Sequence, residues 1–389
     1  ILIMGKKHKA KNKKNSELPL VSVCSPTFNR RPFIENMINC YKNQTYPRSR
    51  MEWIIVDDGT DPIKDIIDKY TDLNIKYFQV KKMNLGEKRN FMHTKCNGKI
   101  LVYMDDDDYY PPERVEHAVE TLNSNRKALC AGSSEIYVYF KDINKMLQCG
   151  PYGETHATAG TFAFRKELLD ITSYEDHAAL AEEKHFLKGY TIPFVQLDPL
   201  KSILVFSHSH NTFDKRRMLK YCDDENGKVK ESDKTIDKFI KFDFEEPIKQ
   251  FFLKDIDELL SNYEPGLPKN KPDVLKQTEE IKKKRLKLEE NAKNQYLNEK
   301  IGITIENNGK RVNLTRGEVL TIFDNTRKEI EMLQQNAMKT NIELPSGESK
   351  YMDFFELSKT CEDLVNKVKV QNKLIENMKN QIKILKEES

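Results

Sequence analysis

Lys99-Ile-Leu-Val-Tyr-Met-Asp-Asp-Asp-Asp-Tyr-Tyr-Pro-Pro112 is the stretch on which the fold turns. The apolar, β-branched run Ile100–Met104 predicts a buried strand, and it breaks into four aspartates. Adjacent carboxylates repel one another, and such a cluster costs stability unless a cation neutralises it. Hard oxygen ligands suit Mg²⁺ or Mn²⁺, and Mg²⁺ commonly joins one or two carboxylates to substrate phosphates. Residues two apart in a strand point the same way, so Asp105 and Asp107 are expected to reach one ion together.

Outward from this stretch, strands and helices alternate. Pro19-Leu-Val-Ser-Val-Cys24, Trp53-Ile-Ile-Val56 and Ile75-Lys-Tyr-Phe-Gln-Val80 read as strands. Residues 33–41, 63–70 and 87–96 carry helical spacing. Strands separated by helix-length segments predict βαβ units, hence an α/β fold with a mostly parallel sheet. In open α/β sheets ligands bind outside the carboxyl ends of the strands. Three further strand ends are polar. Val23-Cys-Ser-Pro-Thr-Phe-Asn-Arg30 breaks into small and polar residues, and Val56-Asp-Asp-Gly59 ends in carboxylates able to accept hydrogen bonds from a base or ribose. Asn84-Leu-Gly-Glu-Lys-Arg-Asn90 sets Lys88 and Arg89 near a helix start, where an anion is favoured.

Together, Pro26-Thr27-x-Asn29-Arg30, Val56-Asp57-Asp58-Gly59, Gly86-x-Lys88-Arg89-Asn90 and Met104-Asp105-Asp106-Asp107-Asp108 resemble the family 2 glycosyltransferases over roughly residues 19–215. The resemblance implies a GT-A fold, Rossmann-like, and a nucleotide-diphosphate-sugar donor, a UDP-sugar. It implies that Pro26, Thr27, Asn29 and Arg30 line the nucleotide pocket, that Asp57 or Asp58 binds the base, and that Lys88 and Arg89 lie near base, ribose or phosphates. Asp105-x-Asp107 corresponds to the DxD motif, with Asp107 the direct metal ligand, Asp105 and Asp106 on the donor side, and Asp108 supporting the loop. Thr158-Ala-Gly-Thr-Phe-Ala-Phe-Arg165 is similar to the family's small-residue segment beneath the donor sugar. Ala181-Glu-Glu-Lys-His-Phe-Leu187 is similar to the segment that supplies the catalytic base. Glu183 stands where the family has Asp, with Glu182 the competitor. His208-Ser-His-Asn-Thr212 resembles a segment that brings a late His to the metal or diphosphate, His210 first and His208 second. The implied reaction is an inverting displacement, with Mn²⁺ or Mg²⁺ as cofactor and a hydroxyl on a glycan or protein as acceptor. The lysine- and asparagine-rich style also looks similar to glycosyltransferases of large DNA viruses.

Two other function classes are opposed by the residues. Ser25-Pro-Thr-Phe-Asn-Arg-Arg31 lacks the glycines of a nucleotidyltransferase loop. An inactive transferase-like domain in a coiled-coil scaffold is opposed by the intact Asp105/Asp107 and Glu182/Glu183 pairs.

The 389 residues have room for two or three domains. Apolar residues are 38% and charged residues 32%, poorer and richer respectively than the roughly 45–50% and 25% of an average globular chain. A net charge of +4 from 65 basic and 61 acidic residues does not argue for nucleic acid, and glutamates interleave with the lysines of the later helices. There is no apolar run of 18 residues, so no transmembrane helix is expected. Ile1–Met4 is too short for a signal-peptide core, and six lysines follow it by Lys14. This basic tail suits a disordered segment or weak contact with an acidic membrane surface. Seven scattered cysteines, none as CxxC, fit reduced thiols and a cytoplasmic location, an infected-host cytoplasm or virion if the source is viral.

The expected organisation is a tail over 1–17, the GT-A domain over 18–215, a helical extension over 216–264, a helical region with a small β-hairpin over 265–349, and a coiled-coil helix over 350–389. Pro265–Pro272, with three prolines, reads as a linker. The alternation Ile301, Ile303, Ile305 before Asn308-Gly309 suits a hairpin with a tight turn. Leu357, Cys361, Leu364, Val368, Gln371, Ile375, Met378, Ile382 and Leu385 follow a 4-3 spacing that keeps one seam facing a partner helix. This predicts a homo-oligomer held through residues 355–386. A chain ending at Ser349 should therefore sediment as a smaller species than the 389-residue chain; the same oligomeric state for both refutes the coiled coil.

Overall fold

The computed structural model describes residues 18–179, 183–222, 227–307, 310–342 and 365–379. Two compact units divide the chain, one up to Glu279 and one from Glu280.

The first unit is built on a GT-A-like α/β sheet. Its strands are β1 Val21–Thr27, β2 Met51–Asp57, β3 Ile75–Gln79, β4 Ile100–Tyr103, β5 Cys130–Gly132, β8 Ala163–Arg165 and β9 Phe194–Gln196. Their order is β3-β2-β1-β4-β8-β5-β9. The pairs β1/β2, β2/β3, β1/β4 and β5/β9 are parallel, and β8 runs antiparallel to β4 and β5. β1 does not stop at Cys24 as its apolar run suggests. The register continues through Ser25↔Ile55, Pro26↔Val56 and Thr27↔Asp57. Buried Ser25 can stay in the strand because its hydroxyl is paired, accepting from the Trp53 indole N–H at 3.0 Å.

Alternation along the strands makes two apolar faces. Val21, Val23, Trp53, Ile55, Ile100 and Val102 face one core, where Trp53 stacks on Tyr41 at 4.4 Å. Cys24, Ile54, Val56, Leu101 and Tyr103 face the other, where Met92, Phe164 and Phe186 cover them. Arg114 is fully buried and donates to the carbonyls of Thr161 and Phe162 at 2.8 and 2.9 Å. It thereby ties the end of β4 to the segment before β8.

A second sheet carries β6 Ile136–Phe140, β7 Lys145–Cys149, β10 Leu204–Phe206 and β11 Val229–Ser232 in the order β10-β6-β7-β11. β11 corrects the reading of 216–264 as purely helical: it completes this sheet antiparallel to β7. The rest of that stretch also packs on the domain. Glu245 is fully buried and accepts from Tyr109 Oη at 2.6 Å, and Phe252 stacks on Phe206 at 3.8 Å.

In the second unit, β12 Lys300–Asn307 pairs with β13 Lys310–Thr315 as the expected hairpin, and the turn residues Asn308-Gly309 lie outside the described residues. Helix Arg316–Ile342 follows, its Arg316 guanidinium 3.9 Å from the Tyr296 ring centroid. Residues 365–379 are helical. Gln371 is buried, Val368 and Met378 are half-buried, and Ile375 is exposed. Leu357, Cys361, Leu364, Ile382 and Leu385 lie outside the described residues, as does the 1–17 tail, and no partner helix is shown. Among the described residues, no helix is long and apolar enough to cross a membrane, and six cysteines are free thiols.

His93 sits in the second core against Tyr103, Phe164, Tyr174 and Phe186. Burial, aided by the Arg89 charge, pushes it down from 6.5 to about 3. The fold therefore accepts only the neutral ring. Above pH 6.5 both states hold it neutral; as pH falls from there towards about 3, the unfolded chain takes up a proton the fold refuses. Stability should drop by up to ~1.4 kcal/mol per pH unit across that window. His93→Gln should flatten the slope of melting temperature against pH between about 4 and 6; an unchanged slope refutes this role.

Candidate active site

The ends of β1 and β4, the loop after β3 and the segment before β8 surround a cavity of about 440 Å³, in the range of small-molecule sites. β1 contributes Pro26 and Thr27, followed by Phe28 and Arg30; the region after β3 contributes Lys82, Met83, Lys88 and Arg89. Asp105–Asp108, Thr158–Thr161 and Glu183 complete one side. Lys215, Lys271 and Val274 come from later in the chain.

β4 ends at Tyr103, so the four aspartates occupy a bend and not a strand. Two-residue periodicity therefore does not govern Asp105 and Asp107, and each carboxylate has its own surroundings. The Asp105 backbone N–H donates to Tyr110 Oη at 2.7 Å, and its Oδ2 lies where a Cβ on Gly160 would come within 2.7 Å. Asp106 meets Arg30 Nε at 3.4 Å. Asp107 Oδ2 meets Arg30 Nη2 at 3.2 Å and His208 Nε2 at 3.4 Å. Asp108 Oδ1 accepts from the Phe206 N–H at 3.2 Å.

Burial alone would raise every one of these carboxyls. At Asp107 the Arg30 guanidinium and His208 outweigh burial and hold it well below the usual range, so it is the firmly charged member. Asp106 is pushed up to about 7 by burial and by Asp107, against Arg30. Asp108 is pushed well up by burial, against Lys215. His208 is driven down to about 4 by burial despite Asp107, so its ring is neutral. Burial and Arg30 lower Lys271 to about 7, against Asp107 and Asp106.

The structure exchanges the two histidines. His210 Nε2 is 2.6 Å from the Tyr263 carbonyl and its Nδ1 is 3.0 Å from Ser209 Oγ, so both ring nitrogens face away from the acidic cluster. His208 faces Asp107 instead. The Asp107 carboxylate is an oxygen donor that suits Mn²⁺ or Mg²⁺, and the neutral imidazole beside it can add a nitrogen donor to the borderline ion Mn²⁺ more readily than to Mg²⁺. Among the described residues no three His, Cys, Asp or Glu side chains converge as a closed metal cage.

The nucleotide-side residues divide as well. Lys88 Nζ donates to the Thr27 carbonyl at 2.9 Å and pairs with Asp58, whose other oxygen accepts from the Met83 N–H at 2.8 Å. Asp58 thus sets the floor through Lys88 and Met83, which line the cavity, and does not line it itself. Asp57 is buried and holds its own loop together. It accepts from Gly59 N–H at 2.9 Å, Ile63 N–H at 3.2 Å and Tyr77 Oη at 2.7 Å. Asn29, expected in the pocket, takes a left-handed φ of 51° and clamps loops, its Oδ1 accepting from Thr60 N–H at 2.8 Å and Asp61 N–H at 3.0 Å. Asparagine tolerates that conformation better than most residues. The Arg89 guanidinium lies over Tyr103 at 4.9 Å and Tyr174 at 5.2 Å.

Glu183 opens the short helix Glu183–Phe186 and reaches the cavity, its Oε1 accepting from the Ala159 N–H at 3.3 Å. Glu182 lies outside the described residues. Neither Lys215 nor Lys271 stands out in the sequence; their only signal is charge, in a chain full of lysines.

Against known proteins, residues 22–182 match the family model described as glycosyl transferase family 2. Over those residues, less than half of its length, the chain is similar to the glycosyltransferases of that family. It is 30% identical over 127 residues to the poly(ribitol-phosphate) beta-N-acetylglucosaminyltransferase TarS of Staphylococcus aureus, covering 32% of this chain and 21% of that protein. It is 30% identical over 200 residues to the glycosyltransferase AglE of Haloferax volcanii, covering 46% and 65%. The chain thus spans only part of these curated relatives. The crystal structure of S. aureus TarS 1–349 with UDP-GlcNAc aligns at 20% identity and a TM-score of 0.38, over 48% of this chain and 58% of that one. These relatives are bacterial and archaeal, and none supports the likeness to viral enzymes.

Since a Cβ at Gly160 would reach Asp105 Oδ2, Gly160→Ala should turn that carboxylate aside with little effect on folding. The expected result is a higher Mn²⁺ concentration for half-maximal thermal stabilisation in the presence of UDP. The unliganded melting temperature should move by no more than about 3 °C. An unchanged Mn²⁺ requirement shows that Asp105 does not serve the ion.

Proposed function

We propose that the cavity is the donor site of a metal-dependent, inverting glycosyltransferase. The donor is a nucleotide-diphosphate sugar, a UDP-sugar, and the acceptor is a hydroxyl on a glycan or protein. One observation carries the reading: Asp105–Asp108, Arg30, Lys88 and Glu183 line one cavity at the strand ends of a domain similar to family 2. The TarS relative, named as an N-acetylglucosaminyltransferase, supports a hexosamine or hexose as the sugar.

In this reading Pro26, Thr27 and Phe28 receive the nucleoside, and Lys88 is held rigid by Thr27 and Asp58 beside it. Asp107 and His208 would hold the divalent ion, with Asp105 beside them in the same cavity, and the ion would neutralise negative charge on the departing diphosphate. Glu183 takes the proton from the acceptor hydroxyl as that oxygen attacks the anomeric carbon from the face opposite the diphosphate. The Ala159 N–H donates to Glu183 Oε1 and helps hold that carboxylate at the cavity. Self-association through residues 355–386 belongs to the same proposal and is supported by the 4-3 spacing.

UDP release from UDP-sugars with Mn²⁺ tests the reading. Asp107→Ala should reduce it by roughly a hundredfold or more. Glu183→Gln should abolish transfer while leaving UDP binding intact. If no nucleotide sugar gives metal-dependent hydrolysis or transfer, the domain is an inactive scaffold and the enzymatic reading fails.

A further inference from the structure

The segment 263–271, which reads as a linker in the sequence, is fastened across the site. Three of its carbonyls are tied to Arg30, which lines the cavity, and to Asn29 and His210 beside it. Tyr263 O lies 2.6 Å from His210 Nε2, Pro265 O accepts from Asn29 Nδ2 at 3.0 Å, and Gly266 O accepts from Arg30 Nη1 at 3.4 Å. The Tyr263 hydroxyl donates to Asp61 Oδ2 at 2.9 Å. The approach at Gly266 is close enough that a Cβ would come within 2.6 Å of the Asn29 carbonyl. A linker has no need of such fastening. What the strap delivers into the cavity is Lys271.

Lys271 is only 8% exposed. Its Nζ donates to Thr212 Oγ1 at 2.7 Å, and among the described residues no carboxylate oxygen lies within ion-pair distance. The Phe28 ring centroid lies 6.0 Å from the same Nζ. An ammonium has three donors, so a hydroxyl and a ring face recover only part of the desolvation cost of burying it. Arg30 and Lys88 line the same cavity, each already paired with an aspartate, whereas Lys271, among the described residues, is not.

We propose that Lys271 is a diphosphate-binding residue of the donor site, delivered by the strap Tyr263–Lys271 from outside the family-matched segment. This rests on the donor-site reading above. The nucleoside lies towards Phe28 and Met83, and Lys271 completes with Arg30 and Lys88 a set of cations around the phosphates. A donor site built only from residues 22–182 would lack this charge.

The test is calorimetric binding of UDP, GDP and uridine, with and without Mn²⁺, to the 389-residue chain and its variants. Lys271→Gln should weaken the nucleoside diphosphate about tenfold or more, the worth of one charge-assisted hydrogen bond, and leave uridine unchanged. Lys271→Arg should restore most of the loss. The unliganded melting temperature of Lys271→Gln should equal or exceed that of the parent chain, because a poorly paired buried charge is removed. If Gln prevents folding, Lys271→Met keeps the aliphatic length and carries the same comparison. Lys269→Gln, on the exposed side of the strap, should change nothing. Equal loss for uridine and diphosphate, or no loss for either, overturns the role of Lys271. A parent chain that binds neither UDP nor GDP overturns the donor-site reading itself, and this inference with it.

Discussion

Four consecutive carboxylates cannot share a buried bend unless cations stand among them. The first unit is arranged to meet that condition. The cation Arg30 bridges Asp106 and Asp107, the cation Lys215 offsets the burial of Asp108, and the neutral His208 ring meets Asp107 at 3.4 Å. These partners come from positions 30, 208 and 215, so the acidic cluster is tolerable only once distant parts of the chain have folded around it. Arg30 is itself positioned, its guanidinium 5.6 Å from the Phe33 ring and bonded to the Gly266 carbonyl. The cluster is thus poised: charged at Asp107, where a cation belongs, and easily protonated at Asp106.

The parallel core of the sheet was legible because buried strands write themselves locally, as short β-branched runs ending in polar residues. β1 runs three residues further than its apolar stretch, since its last residues are polar and the Trp53 indole and Met104 carbonyl satisfy Ser25 in a strand. The acidic cluster, Lys88 and Glu183 were legible as motifs. What each carboxylate does was not. Asp57 and Asn29 look like ligands in a motif, yet Asp57 spends its hydrogen bonds on its own loop and Tyr77, and Asn29 on Thr60, Asp61 and Pro265.

The choice between His208 and His210 could not be read from spacing. It depends on Tyr263, fifty-three residues beyond His210, which occupies that ring. The same holds for the segment 265–272. Three prolines in eight residues signal the absence of regular structure, and they say nothing about whether the irregular backbone is loose or fastened. Likewise β11 is a half-exposed strand, recognisable only through β7 beside it. Each of these misreadings concerns a contact between residues far apart in the chain, for which a single sequence holds no local signal.

The strap is held mainly through its backbone carbonyls, at Tyr263, Pro265 and Gly266, while the side chains that grip them belong to Asn29, Arg30 and His210. Its course is therefore almost independent of its own composition. Apart from Gly266, which has no room for a side chain, and Tyr263, which is anchored to Asp61, most strap positions are open to substitution without disturbing the domain beneath. The cavity thus takes Lys271 from a segment whose own side chains carry little of the packing beneath it, so that this position can change with the sheet and its acidic bend left untouched.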